Sequence, residues 1–141
     1  MIAFAEVNEL LGVARPKGAN DSPLHIVDLI NKGLPPRALE RLSARIAPAD
    51  ATFKYRLVPK ATLARYATRL NAAQSMRIAR IASIWTEARR VWGSDEETRD
   101  FLFRPHQLLE GRRPIDVAIE NELGGQLVQD ILGQLEHGSA V

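Results

Sequence analysis

Residues 50–70 run Asp50-Ala51-Thr52-Phe53-Lys54-Tyr55-Arg56-Leu57-Val58-Pro59-Lys60-Ala61-Thr62-Leu63-Ala64-Arg65-Tyr66-Ala67-Thr68-Arg69-Leu70. Pro59 cannot continue a helix that ends near Leu57, because it has no amide hydrogen and its ring strikes the preceding turn, but its fixed φ suits a helix start. The stretch therefore predicts two short helices, Asp50 to Leu57 and Lys60 to Leu70, parted by Val58-Pro59. Two short helices around a tight turn are a helix-turn-helix. Phe53, Leu57 and Leu63 then face the core, with Tyr66 a further candidate. Lys60, Thr62, Arg65 and Arg69 lie on the opposite side of the second helix, and Lys54 and Arg56 add two cations on the first. Arg and Lys reach phosphates and guanine edges, and a small Thr lets a base come close. Any Arg-rich amphipathic pair gives the same pattern, and the usual turn glycine is missing.

Outward from this stretch every segment predicts helix or turn. Phe4, Val7, Leu10 and Leu11 recur at helical spacing before Gly12, and Arg15 to Asp21 is turn-rich. Ser22-Pro23 is a cap followed by proline, opening a stripe of Leu24, Val27, Leu29 and Ile30 that ends at Gly33. Pro35-Pro36 opens a third helix, with Leu39, Leu42 and Ile46 on one side and Arg37, Arg41 and Arg45 on the other. Ala72 to Trp92 is the longest regular stretch, with Ile78, Ile81, Trp85, Ala88 and Trp92 as a stripe for core or dimer contact. Arg77, Arg80, Arg89 and Arg90 oppose it. Ser94-Asp95-Glu96-Glu97 fits a capping box for a helix through Phe103. A structured loop, a proline-started helix from Pro114, and a last helix after Gly124-Gly125 complete the chain, with Leu127, Ile131 and Leu135 expected in the core. No alternating strand pattern of useful length occurs. The fold class expected is all-α.

The chain has 141 residues, 45% of them hydrophobic and 26% charged, enough apolar material for a modest core. Its net charge of +2 hides a division. Residues 1–31 hold two basic residues and four acids, residues 32–92 thirteen against three, and residues 93–141 four against ten. A basic middle and an acidic end point to two modules with different partners, a polyanion for the first. Solvated helix faces are the equal alternative. With no cysteine, disulfides and thiolate chemistry are excluded, and a reducing compartment suits the chain. No uncharged run exceeds seven residues and the first residues lack a signal-peptide pattern, so a cytoplasmic protein without a membrane span is expected.

Reactive groups are sparse. His25, His106 and His137 stand far apart with no HxxxH pair, so no metal site is expected. Neither a nucleophile elbow nor a phosphate-binding loop is present, and Gly124-Gly125 does not supply one. The pairs Glu96-Glu97 and Glu120-Glu122 are expected to be solvated charges. The expectation is a protein that is not an enzyme and needs no cofactor.

The run Pro105-His106-Gln107-Leu108-Leu109-Glu110-Gly111-Arg112-Arg113-Pro114-Ile115-Asp116, followed by Ile131-Leu132-Gly133-Gln134-Leu135-Glu136-His137-Gly138, resembles the toxin-binding domain of the Xre/MbcA/ParS family of bacterial antitoxins. The family pattern is a proline, then Leu-x-Gly-Arg-x-Pro-(Leu/Ile)-Asp, and later a hydrophobic pair before Glu-His/Tyr-Gly. Gly33-Leu34-Pro35 with Ala38 to Leu42, and Ala61-Thr62-Leu63-Ala64-Arg65, are similar to the family's helix-turn-helix region. Glu110 stands where a glycine is more usual, and Val58-Pro59 where Gly-Ile is common. The resemblance implies an Xre-like helix-turn-helix module for DNA binding and dimerisation over residues 1–71, a connecting helix over 72–92 and a toxin-binding domain over 93–141. It implies a RES-domain toxin as partner, an ADP-ribosyltransferase-like protein that consumes NAD and whose cleft the antitoxin obstructs. Operator DNA and a second copy of the chain are the other partners implied.

Residue chemistry then names the contacts. Lys54, Arg56, Lys60, Thr62, Arg65 and Arg69 are the DNA-binding set. Arg112 and Arg113 are toxin contacts or, equally, structural residues that cap the preceding helix or pair with Asp116. Glu136, His137, Gly138, Ser139, Ala140 and Val141 form a tail suited to entering a concave site. Two rival readings remain at this stage: a stand-alone helix-turn-helix regulator whose carboxy-terminal half only dimerises, and a small hydrolase or transferase.

Overall fold

Helices supply the regular structure throughout the residues that the computed structural model describes, 4–13, 23–65 and 68–138. Within them are nine α-helices and no strand, only an isolated bridge between His106 and Arg112. The turn-rich linker, Ser22, Tyr66 and the last three residues, Ser139 to Val141, lie outside the described residues. No described helix is long and apolar enough to cross a membrane. The chain forms two compact units, Met1–Ala82 and Ser83–Val141.

In the first unit α1 (Phe4–Leu11) packs against both α2 (Pro23–Lys32) and α3 (Pro36–Ile46). Leu39, Leu42 and Ile46 are fully buried on the predicted face of α3, beside Val7 and Leu11 of α1 in the core. Arg41 turns back from α3 to α1, donating from Nε to the Leu10 carbonyl (3.3 Å) and from Nη2 to that of Glu9 (3.2 Å). It satisfies acceptors that the end of a helix leaves open. The stripe expected on α2 is out of phase. Leu24 and Val27 are 64% and 46% exposed, whereas Ile26 is buried and Leu29 and Ile30 are half-buried. Positions 26, 29, 30 and 33 have the i, i+3, i+4, i+7 spacing of one helix face, and this face turns inward.

Gly33 explains the start of the next element. At φ +100°, a Cβ built on it would collide with the carbonyl oxygen of Leu70. The close approach lets the Leu70 amide donate to the Leu34 carbonyl (2.8 Å), while the Leu34 amide donates to the Ser75 hydroxyl (2.8 Å). This tether corrects the predicted helix lengths. The first runs only as α4 (Lys54–Leu57), preceded by turns in which the Asp50 carboxylate accepts from the amide (2.9 Å) and hydroxyl (2.6 Å) of Thr52. The second is a single turn, α5 (Lys60–Leu63), not a helix to Leu70. A chain that must present Leu70 to Leu34 leaves the helix before reaching it. Phe53, Leu57 and Val58 are buried as the core of the pair, and Leu63 is half-buried.

The longest helix, α6 (Ala72–Trp92), has the predicted bounds. Its start is a reciprocal cap: the Gln74 amide donates to the Asn71 side chain (2.8 Å) and the Asn71 amide to that of Gln74 (3.1 Å). The two-faced pattern fails in its middle, where Thr86 and Glu87 are buried along with Ile84, Trp85 and Ala88.

In the second unit α7 (Asp95–Phe103) begins as the capping box predicts, with the Ser94 hydroxyl accepting from the Glu97 amide (3.1 Å). A 3₁₀ turn (Gln107–Leu109) leads to α8 (Pro114–Glu120), which packs against α9 (Glu122–Glu136). The last helix starts before the two glycines rather than after them, because the Asn121 side chain caps it by accepting from the Gly124 amide (2.9 Å). Gly124 is buried against α8, and a Cβ there would strike the Val117 carbonyl oxygen. Ile131 is in the core as expected. Leu127, at 47% exposure, is not, and Leu135 is half-buried. The face of α9 that meets α8 carries Gly124, Val128, Ile131 and Leu132, and Leu127 falls outside it.

Candidate functional site

The helix-turn-helix sets three of its cations against two aromatic rings. Lys54 and Lys60 place their ammonium groups 5.3 and 5.8 Å from the centre of Tyr55, and the Arg56 guanidinium sits 5.9 Å from that of Phe53. Arg56, Lys60, Arg65 and Arg69 are exposed, while Lys54 and Thr62 are half-buried. Lys60 and Thr62 belong to α5, Arg65 to the turn after it, and Arg69 to the stretch before α6. The expected set is therefore spread over a one-turn helix and its exits instead of a single helical face. Pro59 presets this start and the buried Val58 anchors it.

Lys54 is not free. Its ammonium donates to the Glu40 carboxylate of α3 (2.8 Å), and this bond raises its pKa above the ordinary lysine value. Asp50 shifts the opposite way, since the Thr52 hydroxyl and amide hydrogen bonds stabilise its charged form. Arg77, expected on the face of α6 opposite the apolar stripe, donates to the Leu57 carbonyl (2.8 Å) and closes the end of α4. Tyr55 and Arg77 are the residues that sequence reasoning missed. Tyr55 had a signal, lying between Lys54 and Arg56, whereas Arg77 had none, since 20 residues separate it from its acceptor. The arrangement offers exposed cations and donors to a polyanion.

In the second unit the segment from Pro105 to Asp116 is a closed loop. His106 donates its amide to the Arg112 carbonyl (3.0 Å), accepts at its own carbonyl from Gly111 (3.0 Å), and accepts at Nδ1 from the Leu108 amide (3.1 Å). Glu110, which stands where a glycine is more usual in the family pattern, takes the left-handed conformation, φ +55°. Of the two roles open to Arg113, the structure displays pairing. Its guanidinium forks onto Asp116 at 2.7 and 2.9 Å, a bond that raises its pKa further, and it lies 5.5 Å from the Phe103 ring centre. Arg112 is exposed. Glu136 ends α9 within 3.6 Å of Arg90, and His137 and Gly138 follow it, exposed. The structure thus brings Glu136, His137 and Gly138 together as one projecting helix end, with Arg112 and Arg113 on a separate loop.

Two comparisons with known families agree with this division. Residues 25–83 match the antitoxin Xre-like helix-turn-helix domain, and residues 87–138 match the antitoxin Xre/MbcA/ParS C-terminal toxin-binding domain. Neither family is one of enzymes. No curated protein matches the chain.

Proposed function

The chain belongs to the Xre-type antitoxins, pairing a helix-turn-helix domain with a toxin-binding domain, and we propose that it neutralises a RES-type toxin by filling that protein's NAD cleft while binding operator DNA. The antitoxin acts by occupying space and performs no chemistry of its own. Its tail, Glu136 to Val141, enters the cleft, and Arg112 contacts the rim. Arg56, Lys60, Arg65 and Arg69 neutralise phosphates, Lys54 joins them once released from Glu40, and Thr62 approaches a base. Two copies associate through their amino-terminal units and so present two such surfaces to an operator.

One observation carries this reading: opposite charges are sorted onto separately compact units. The first holds thirteen Lys and Arg against six acids, the second six Arg against eleven acids. A polyanion is attracted to one and repelled by the other, so the two tasks do not compete for a surface. Co-expression with the adjacent gene tests the proposal. A RES-domain protein is expected to co-purify stoichiometrically, with cellular NAD preserved while the complex persists. A chain that purifies alone, with NAD unaffected by its removal, would be the stand-alone regulator.

A further inference from the structure

The second unit contains a cleft of about 450 Å³ whose lining includes Pro105 and His106 at the start of the arginine loop but neither arginine of that loop. Trp92, Phe101 and His106 form an aromatic ladder along it. The rings of Trp92 and Phe101 are tilted with centres 5.6 Å apart, and those of Phe101 and His106 meet edge-on at 6.0 Å. His106 Nδ1 accepts from the Leu108 amide, which holds the imidazole in this arrangement. Glu97 and Asp100, one turn apart on exposed positions of α7, supply two carboxylates, and Arg104 is the one arginine or lysine among the described lining residues. Neither carboxylate has an ion-pair partner among the described residues.

The neighbouring rings show what is absent from this one. Arg99 sits 5.8 Å from the Trp85 ring centre and Arg113 sits 5.5 Å from that of Phe103. Trp92, 36% exposed, has a ring contact with Phe101 and no cation over its ring among the described residues. An exposed indole flanked by unpaired carboxylates attracts a cation through the ring quadrupole and through charge together. Leu135 also lines the cleft, so it is continuous with the tail that starts at Glu136. The unit as a whole has five more acids than arginines, which complements a basic partner surface.

We propose that this cleft receives an arginine side chain of the toxin, stacked on Trp92 and paired with Glu97 and Asp100, as a second anchor beside the tail. The proposal rests on the toxin-neutralising reading above. Its test mixes the full antitoxin with the purified product of the adjacent toxin gene and follows tryptophan emission. Trp85 is 2% exposed, and a Trp92→Phe variant titrated in parallel gives the emission of Trp85 and of the toxin, so the difference between the two titrations reports on Trp92. For the unaltered chain, emission is expected to change and saturate with toxin. The Glu97→Gln/Asp100→Asn variant is expected to bind about tenfold more weakly, with a shallower salt dependence and an unchanged circular dichroism spectrum. Wild-type affinity in that variant, or toxin bound with Trp92 emission unmoved, overturns the proposal and leaves toxin neutralisation standing. An effect confined to self-association overturns it too, assigning the cleft to a second copy. Failure of the unaltered chain to bind toxin would instead sink the neutralising reading itself.

Discussion

Glu110 occupies the left-handed region at φ +55°, where an L-residue loses roughly 1–2 kcal/mol to contact between its Cβ and the following carbonyl. Glycine removes that contact but gains freedom in the unfolded chain, worth about 0.5–1 kcal/mol. Glu110→Gly should therefore leave stability unchanged or raise it by up to about 1 kcal/mol, whereas the β-branched Glu110→Val should lower it by more than about 1 kcal/mol. Thermal unfolding of both variants measures the difference. Glu87 makes a second claim at this scale. Burial on α6 pushes its carboxyl above the ordinary 4.5, Glu136 and Asp130 push the same way, and Arg90 opposes them. An acid whose pKa is raised by folding favours the native state below its ordinary value, and that advantage is lost as pH rises through the shifted value. Glu87→Gln should accordingly raise the melting temperature at neutral pH and give no gain near pH 4. A gain that is equal at both values would show that the carboxylate's charge is not what burial opposes. For Arg65, exposed beside α5, replacement by Ala should weaken operator binding and reduce the salt slope by about 0.9, with toxin neutralisation intact.

Among the elements, the contact of α8 with α9 is set by the absence of a side chain. Gly124→Ala drives a methyl group against the backbone oxygen of Val117, which no rotamer change can relieve. A loss of about 2–3 kcal/mol is expected by chemical denaturation, while Gly133→Ala, where a Cβ meets nothing within 4 Å, should be neutral or stabilising. How far such elements were legible depended on whether their cause is local. The bounds of α3, α6 and α7 follow from proline, asparagine and serine starts and from side-chain spacing, all of which sit in adjacent residues. The end of α5 depends on Leu34 and Gly33, far off in sequence, and no periodicity announces them. The glycines of α9 signalled a break because composition cannot reveal that a neighbouring backbone lies against them. The cations of the candidate DNA surface were legible as residue types. That Glu40 holds Lys54, that Arg77 closes α4, and that Asp116 holds Arg113 depended on pairings that only the folded chain makes visible.

For the whole molecule, segregation of charge onto two units predicts separable functions. Truncation after Leu135 removes the tail and the Glu136 contact with Arg90 while leaving the first unit complete. Operator binding should survive this truncation and NAD should be lost in cells that carry the toxin. If growth and NAD are both preserved, the tail is not the plug. The central claim, blockade by occupancy, is tested most directly by NAD consumption of the purified toxin as full-length antitoxin is added in steps. Consumption should fall in proportion to antitoxin and stop when the toxin is fully bound. Continued NAD loss from a saturated complex, or silencing by a small fraction of an equivalent of antitoxin, would contradict the account.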